Sequence, residues 1–373
     1  MGKSKYLLSL IFTIFTVLVL LTAGCSSSTS TQSSTNASNP VTNPTPTVEI
    51  VPTVSVEPGS SRKNPIPMNT LVSIPGWDIK VIQFLRGAEA LSIINTPDWQ
   101  AQPLPEGQEY ALAKIYLKCT ALDDNYHSLG ISEMFITGSS NVGFGDTMDS
   151  WPQPEFLYEE MYTADEVEGW IDAVIPTAEK NLMVALNVTQ DDVRTTRFFA
   201  LQEGASIVLP AELAGLSPNE LGVDYTNPAP AGQQVITPDW EITVLNSLSG
   251  QEAEVALGKD SGEYTPPPEG TEYLLLEVKL RYHNSLEVPM WMGGDRFYPI
   301  DTTDGSRLQV EQVYYYGQTD LVWLSKILLP GAETDVWVYM TIPSGTTQSV
   351  IAFDPDYSYS PEKGGNLRYL AVK

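Results

Sequence analysis

The residues able to do chemistry in this chain are few and widely spaced. Histidine occurs only at His127 and His283, and cysteine only at Cys25 and Cys119. A zinc enzyme resting on imidazole ligands needs more of them, and no CxxC pair makes up the difference. His283 stands near Met290 and Met292, whose thioethers suit copper; the plainer reading is a strand end beside two core methionines flanking Trp291. Cys119 and His127 are the elements of a thiol nucleophile, but Cys119 shares its phase with Ile115 and Leu117, so a buried structural thiol is expected. Acidic pairs occur at Asp123 with Asp124, Glu159 with Glu160, Asp191 with Asp192, and Asp301 with Asp304. Carboxylates of this kind hold calcium when several loops together supply enough oxygens. Asp301 and Asp304 are therefore the metal candidates and calcium the one cofactor kept open, although Asp301–Gly305 is also what a tight turn demands. Among the aromatics Tyr314, Tyr315, Tyr316, Trp323, Trp337 and Tyr339, most are expected to fill a core; Tyr315 and Trp323 are the candidates for an exposed peptide- or glycan-binding stripe. There is no GxSxG elbow, phosphate loop or GxGxxG, and Gly143-Phe144-Gly145 reads as a turn. No catalytic residue is assigned, and the chain reads as non-enzymatic.

The ends of the sequence say more than its candidate sites. Lys3 and Lys5 precede an uncharged apolar run from Leu7 to Leu21, and Thr22, Ala23 and Gly24 lead to Cys25, the order of a secretory signal. The run is shorter than a spanning helix requires, and no second run of that length follows. The small residues ending in Cys25 resemble the lipobox of bacterial lipoproteins, with Thr22 where leucine is usual. That resemblance implies cleavage before Cys25 and a diacylglycerol on its sulfur, each buried CH₂ adding about 0.8 kcal/mol of membrane affinity. The alternatives are plain secretion with cleavage nearby, or an uncleaved anchor. Without residues 1–24 the charge is 18 − 46 = −28, which excludes nucleic acid as a partner. With Cys119 alone besides Cys25 there is no intrachain disulfide, so ordinary cores must supply the stability.

Positioning falls to two copies of one domain. Residues 25–63 are rich in Ser, Thr and Pro and read as a disordered tether with a mean reach of about 35 Å. Shifting residues 64–120 by 163 positions makes 20 of 57 identical to residues 227–283, including Trp77 with Trp240, Gly87 with Gly250 and Tyr110 with Tyr273. A period this long, present twice, is a duplicated domain: copy one at 64–210, a linker at 211–226, and copy two at 227–373. Leu274, Leu276, Val278 and Leu280 alternate with Glu277, Lys279 and Arg281, as do Ala111, Ala113, Ile115, Leu117 and Cys119 with their neighbours, the period of half-buried strands. Val336, Val338, Met340 and Ile342 alternate likewise, and Leu182, Val184, Leu186 and Val188 read as their counterpart. Pro and Gly punctuate at short intervals, so the expected class is all-β, two tandem antiparallel β-sandwiches. Copy one carries an acidic segment, Asp149–Asp165, read as an extra loop or short helix.

The surroundings of Trp240 and Tyr273, the polar strand end at His283 and Asn284, the Asp304-Gly305 turn and the Leu329-Pro330-Gly331 step resemble domain of unknown function 4352. Its members are immunoglobulin-like extracytoplasmic domains of bacterial lipoproteins, similar in fold to a secreted mycobacterial immunoprotective antigen. They are sometimes labelled telomeric repeat-binding factor, a name this acidic chain gives no reason to apply. Copy two matches throughout; in copy one Asp123–Ser128 reads as inserted and Ile175-Pro176-Thr177 as the replacement of the Leu-Pro-Gly step. The resemblance implies two immunoglobulin-like domains and brings no catalytic residues. The expected function is a lipid-anchored, non-catalytic binding, adhesion or scaffold module on the extracytoplasmic face of the cell membrane, its partner an envelope protein or glycan. The alternative is an extracytoplasmic small-molecule or metal binder.

Overall fold

The computed structural model describes residues 57–373 apart from 98–99, 124, 130–132, 146–159, 191–192, 259–263, 309–320, 347, 358–364 and 373. The first copy contains β1 (Val72–Ile74), β2 (Trp77–Arg86), helix α1 (Ala88–Ile94), β3 (Gln108–Cys119), β4 (His127–Ser128) and β5 (Met134–Thr137). It continues with β6 (Val142–Phe144), β7 (Glu160–Met161), β8 (Glu166–Pro176), β9 (Met183–Gln190) and β10 (Val193–Ala200). The second contains β11 (Val235–Ile236), β12 (Trp240–Ser249), helix α2 (Gly250–Ala256), β13 (Thr271–Tyr282) and β14 (Met290–Gly293). There follow β15 (Phe297–Pro299), β16 (Ser325–Leu328), β17 (Glu333–Pro343), β18 (Ser349–Phe353) and β19 (Arg368–Val372). The fold is all-β, its named strand pairs antiparallel, as the alternating pattern implies.

The duplication extends to hydrogen-bond register. Trp77 lies opposite Cys119 and Trp240 opposite Tyr282, and each long hairpin bulges at the same step, Val81/Gln83 and Val244/Asn246. The sheet β1-β2-β3-β8 has its equivalent in β11-β12-β13-β17. The inward rows behave as their period dictates: Ala111, Ala113, Ile115, Leu117 and Cys119 are buried with Ile136, Val184 and Leu186 from the facing sheet. Leu274, Leu276, Val278 and Leu280 are buried with Val336, Val338 and Ile342. At the far end of each sheet the other face is also covered. Glycines with φ of 57° and 52°, Gly87 and Gly250, turn the chain into α1 and α2. These helices set Ala90 and Ile94 on Tyr110 and Leu112, and Ala253 and Leu257 on Tyr273 and Leu275. At seven residues neither helix is long enough to show a period or to be stable alone.

Several expected correspondences are corrected. The counterpart of β17 is β8, since both pair with the long central strand, Thr271 opposite Pro343 and Gln108 opposite Pro176. Leu182–Val188 instead lies in and beside β9, which pairs with β5 as β18 pairs with β15. Nothing is inserted at Asp123–Ser128: the shift of 163 still holds at Met134 and Phe297, which lie opposite Leu186 and Phe353. By β9 and β18 the shift is 353 − 186 = 167, so over that stretch copy two is the longer by four residues and the acidic segment is no addition to copy one. Of that segment 149–159 lies outside the described residues, and Glu160–Met161 forms β7. The Leu-Pro-Gly step corresponds to Tyr162-Thr163-Ala164, since the Gly331 N–H donates to Tyr282 as that of Ala164 does to Cys119. Ile175-Pro176 corresponds to Ile342-Pro343 at the strand end. Periodicity marks the inward face and leaves the pairing open, because two inward-facing strands of one sandwich look alike until their partners are known.

Candidate functional site

Two of the proposed site residues, Asp301 and Asp304, lie in one turn. The Asp301 carboxylate accepts from the Thr303 N–H at 2.8 Å and its hydroxyl at 2.6 Å, and the Asp304 carboxylate accepts from the Ser306 N–H at 2.9 Å. Hydrogen bonds from the Ser306 hydroxyl and then its N–H hold the Asp304 carboxyl below the usual carboxylate range. Gly305, at φ 75°, closes the turn by donating to the Asp301 carbonyl at 2.8 Å. The carboxylates thus make the turn, and among the described residues no group of three or more His, Cys, Asp or Glu is placed to hold a metal ion.

The remaining candidates are dispersed. Cys25 and Tyr315 lie outside the described residues, as do Asp124, Glu159, Asp191 and Asp192. Trp323 is half-buried edge-on to Tyr339, ring centroids 5.2 Å apart, and packs with Trp337 beside the α2 cluster. Cys119 is fully buried in the first core. His127 meets the Asp123 carboxylate at 2.9 Å near the surface. His283 is buried just past β13, while Met292 belongs to the second core and Met290 packs against it; Trp291 points outward, 51% exposed. No helix among the described residues is long and apolar enough to cross a membrane.

What the fold does bring together is a joint between the copies. Strand β6 pairs antiparallel with β16, Ile327 opposite Gly143 and Leu328 opposite Val142, so one six-stranded sheet runs β10-β9-β5-β6-β16-β14 through both copies. Gly143 is thus in a strand and not a turn: a Cβ there would come within 2.7 Å of the Ile327 Cβ and 2.8 Å of the Phe135 ring. Leu329 of copy two is buried with Phe135, Met183, Ala185, Phe198, Ala205 and Ile207 of copy one. Over this contact lies Arg62, completely buried. It donates to Glu287 at 2.5 Å, to the Asn141 side chain at 2.5 Å and to the Pro330 carbonyl at 2.7 Å. Burial lowers the pKa of its guanidinium, which Glu287 opposes.

Arg62 falls in the stretch expected to be tether. Its neighbours are ordered by the same contacts: Glu57 pairs with Arg197, the Gly59 carbonyl accepts from Phe198 at 2.8 Å, and the Arg62 carbonyl accepts from Ile207 at 2.9 Å. Ser55–Lys373 accordingly forms one compact unit. The sequence reading does not single out Arg62, Asn141, Glu287 or Ile327, and it takes Gly143 for a turn. The one available signal was divergence within the repeat, where Arg62 stands opposite Tyr225.

No protein-family description, curated protein or solved structure matches this chain.

Proposed function

We propose that the chain is a lipoprotein held at the extracytoplasmic face of the cell membrane by an acylated Cys25. Its two immunoglobulin-like sandwiches serve there as a non-catalytic binding, adhesion or scaffold module of the envelope. The signal-like start and the thiol after Thr22-Ala23-Gly24 support the address. The observation that carries the functional half is the continuous sheet through both copies. It joins the two copies through main-chain pairing of β6 with β16, the kind of continuity a scaffold or presenting module uses. The end of copy one beyond β10 is packed into the joint, with Ala205 and Ile207 in its apolar cluster.

The test is a fatty-acid label in cells making the full chain or its Cys25→Ser variant. Label on the native chain, with the variant unlabelled and released from the membrane fraction, supports the anchor. Retention of the variant in membranes without label on either form would sink it. Cross-linking on intact cells then tests the module: a specific adduct through the folded region supports a binding role, and activity of the purified chain on envelope glycans or peptides would replace it with an enzyme.

A further inference from the structure

Each copy begins with the same short strap. In copy one Gly59, at φ 74°, offers its carbonyl to the Phe198 N–H at 2.8 Å; in copy two Gly222, at φ 67°, does the same for Tyr369 at 2.7 Å. Three residues on, the copies differ. Tyr225 stays within its own copy, edge-on to Tyr369 at 6.0 Å and packed with the outer cluster of that sheet. Arg62 instead reaches out of its copy, to Glu287 and Pro330 of the second, while bonding Asn141 of the first. The strap also holds the end of copy one beyond β10, for the Arg62 carbonyl accepts from Ile207 and the Lys63 carbonyl from the Ser206 hydroxyl at 2.8 Å. Against this, among the described residues strand pairing between the copies covers two residue pairs of β6 and β16, extended by the Leu329 N–H donating to the Asn141 carbonyl at 2.9 Å. Contacts between domains of one chain permit relative motion unless the interface is large and apolar.

We propose that Glu57–Asn64 is a latch: it holds the two copies in one orientation, and withdrawing it from the N-terminal side frees them to pivot about the β6–β16 contact while both sandwiches stay folded. The chain enters the folded unit through this segment, so a pull or cut there acts on the joint first. Arg62 is the specialised residue, because its charge is buried and each of its bonds ties the strap to a different part of the joint. The inference concerns the folded unit and stands apart from acylation at Cys25.

The experiment is amide hydrogen exchange by mass spectrometry on the full chain and on Arg62→Met, which keeps an apolar stem and deletes the bonds. Solution scattering on the same samples gives the overall dimension. Exchange at least tenfold faster in Val142–Phe144 and Ser325–Gly331, with β2–β3 and β12–β13 unchanged and a larger radius of gyration, is the expected result. Unchanged exchange at the joint overturns the proposal. So does faster exchange spread evenly through both cores, which would make the strap an ordinary part of the fold. Should Arg62→Met not fold, Asn141→Ala with Glu287→Ala removes the two side-chain acceptors and leaves the strap and the Pro330 carbonyl; it must give the same localised pattern, and wild-type protection in it overturns the latch.

Discussion

At the step before the closing strand, copy two has Gly331 at φ 93° and copy one has Ala164 at φ 73°. Both N–H groups cap the central strand in the same way, yet their surroundings differ. Gly331 sits under Asn141 and Leu209, each 3.0 Å from where a Cβ would be, because copy one docks there. The residue equivalent to Leu329, which is fully buried at the joint, is Tyr162, 52% exposed. One repeat unit has thus been used in two ways: the second copy's hairpin β14–β16 receives a neighbour, and the first copy's hairpin β4–β7 does not join the shared sheet. The opposite edge differs too. Gly143 admits Ile327, whereas Arg307, which bridges Ile300 as Gly143 pairs with Thr137, lies over the Tyr298 ring at 4.7 Å. Docking specificity therefore rests on a few divergent positions over a common core.

The comparison breaks most easily in the cores. Trp240 is fully buried, stacked on Tyr282 at 4.5 Å and edge-on to Phe353, whereas Trp77 is opposed by the small Cys119. Trp240→Ala should cost about 3–5 kcal/mol by denaturant titration, and Trp77→Ala less, because fewer aromatic contacts are lost. Equal losses would show that the aromatic stack adds nothing.

At the joint, Gly143→Val forces Ile327 and Phe135 apart and should cost about 1–3 kcal/mol, with faster amide exchange confined to β6 and β16. Retained protection there would mean that the strand pairing tolerates a side chain.

High pH should tell the copies apart as well. Tyr282 and Tyr298, both in copy two, have pKa values raised well above the usual phenol value, first by burial, then by Asp239 and Asp354 respectively. A raised folded-state pKa means the native state holds its proton more tightly. Their contribution is therefore full below about pH 10, the unfolded phenol value, and is lost as pH rises through the folded-state value. Melting followed between pH 9 and 12 should show copy two weakening, and Tyr298→Phe should flatten the decline. A decline of the same slope in that variant would remove Tyr298 from the account.

The smallest effect distinguishes the two closing steps. Ala164→Gly relieves a left-handed alanine and should stabilise by up to about 1 kcal/mol. Gly331→Ala should destabilise, since backbone and neighbours both resist a Cβ there. Equal signs in thermal melts of the two variants would contradict the assigned equivalence.

Much of each sandwich was legible before its structure. Rows such as Leu274–Leu280 carry their burial in their own spacing, and the identity of residues 64–120 with 227–283 announced the duplication. Trp323, a candidate for an exposed stripe by sequence, packs half-buried against Tyr339. Asp301 and Asp304 were legible as turn formers for the same local reason, since each carboxylate bonds an N–H two residues on.

What the sequence by itself determined is the all-β class, the inward strand faces, the twofold repeat and the charge, all properties of neighbours along the chain. Only the tertiary structure decided which strand is the partner of which, and that the copies fuse through β6 and β16. It alone also showed that Arg62, in a stretch whose composition reads as tether, lies buried between them. The physical reason is distance along the chain: Arg62 and Pro330 are 268 residues apart, and no local period records a bond that exists only once both copies have folded.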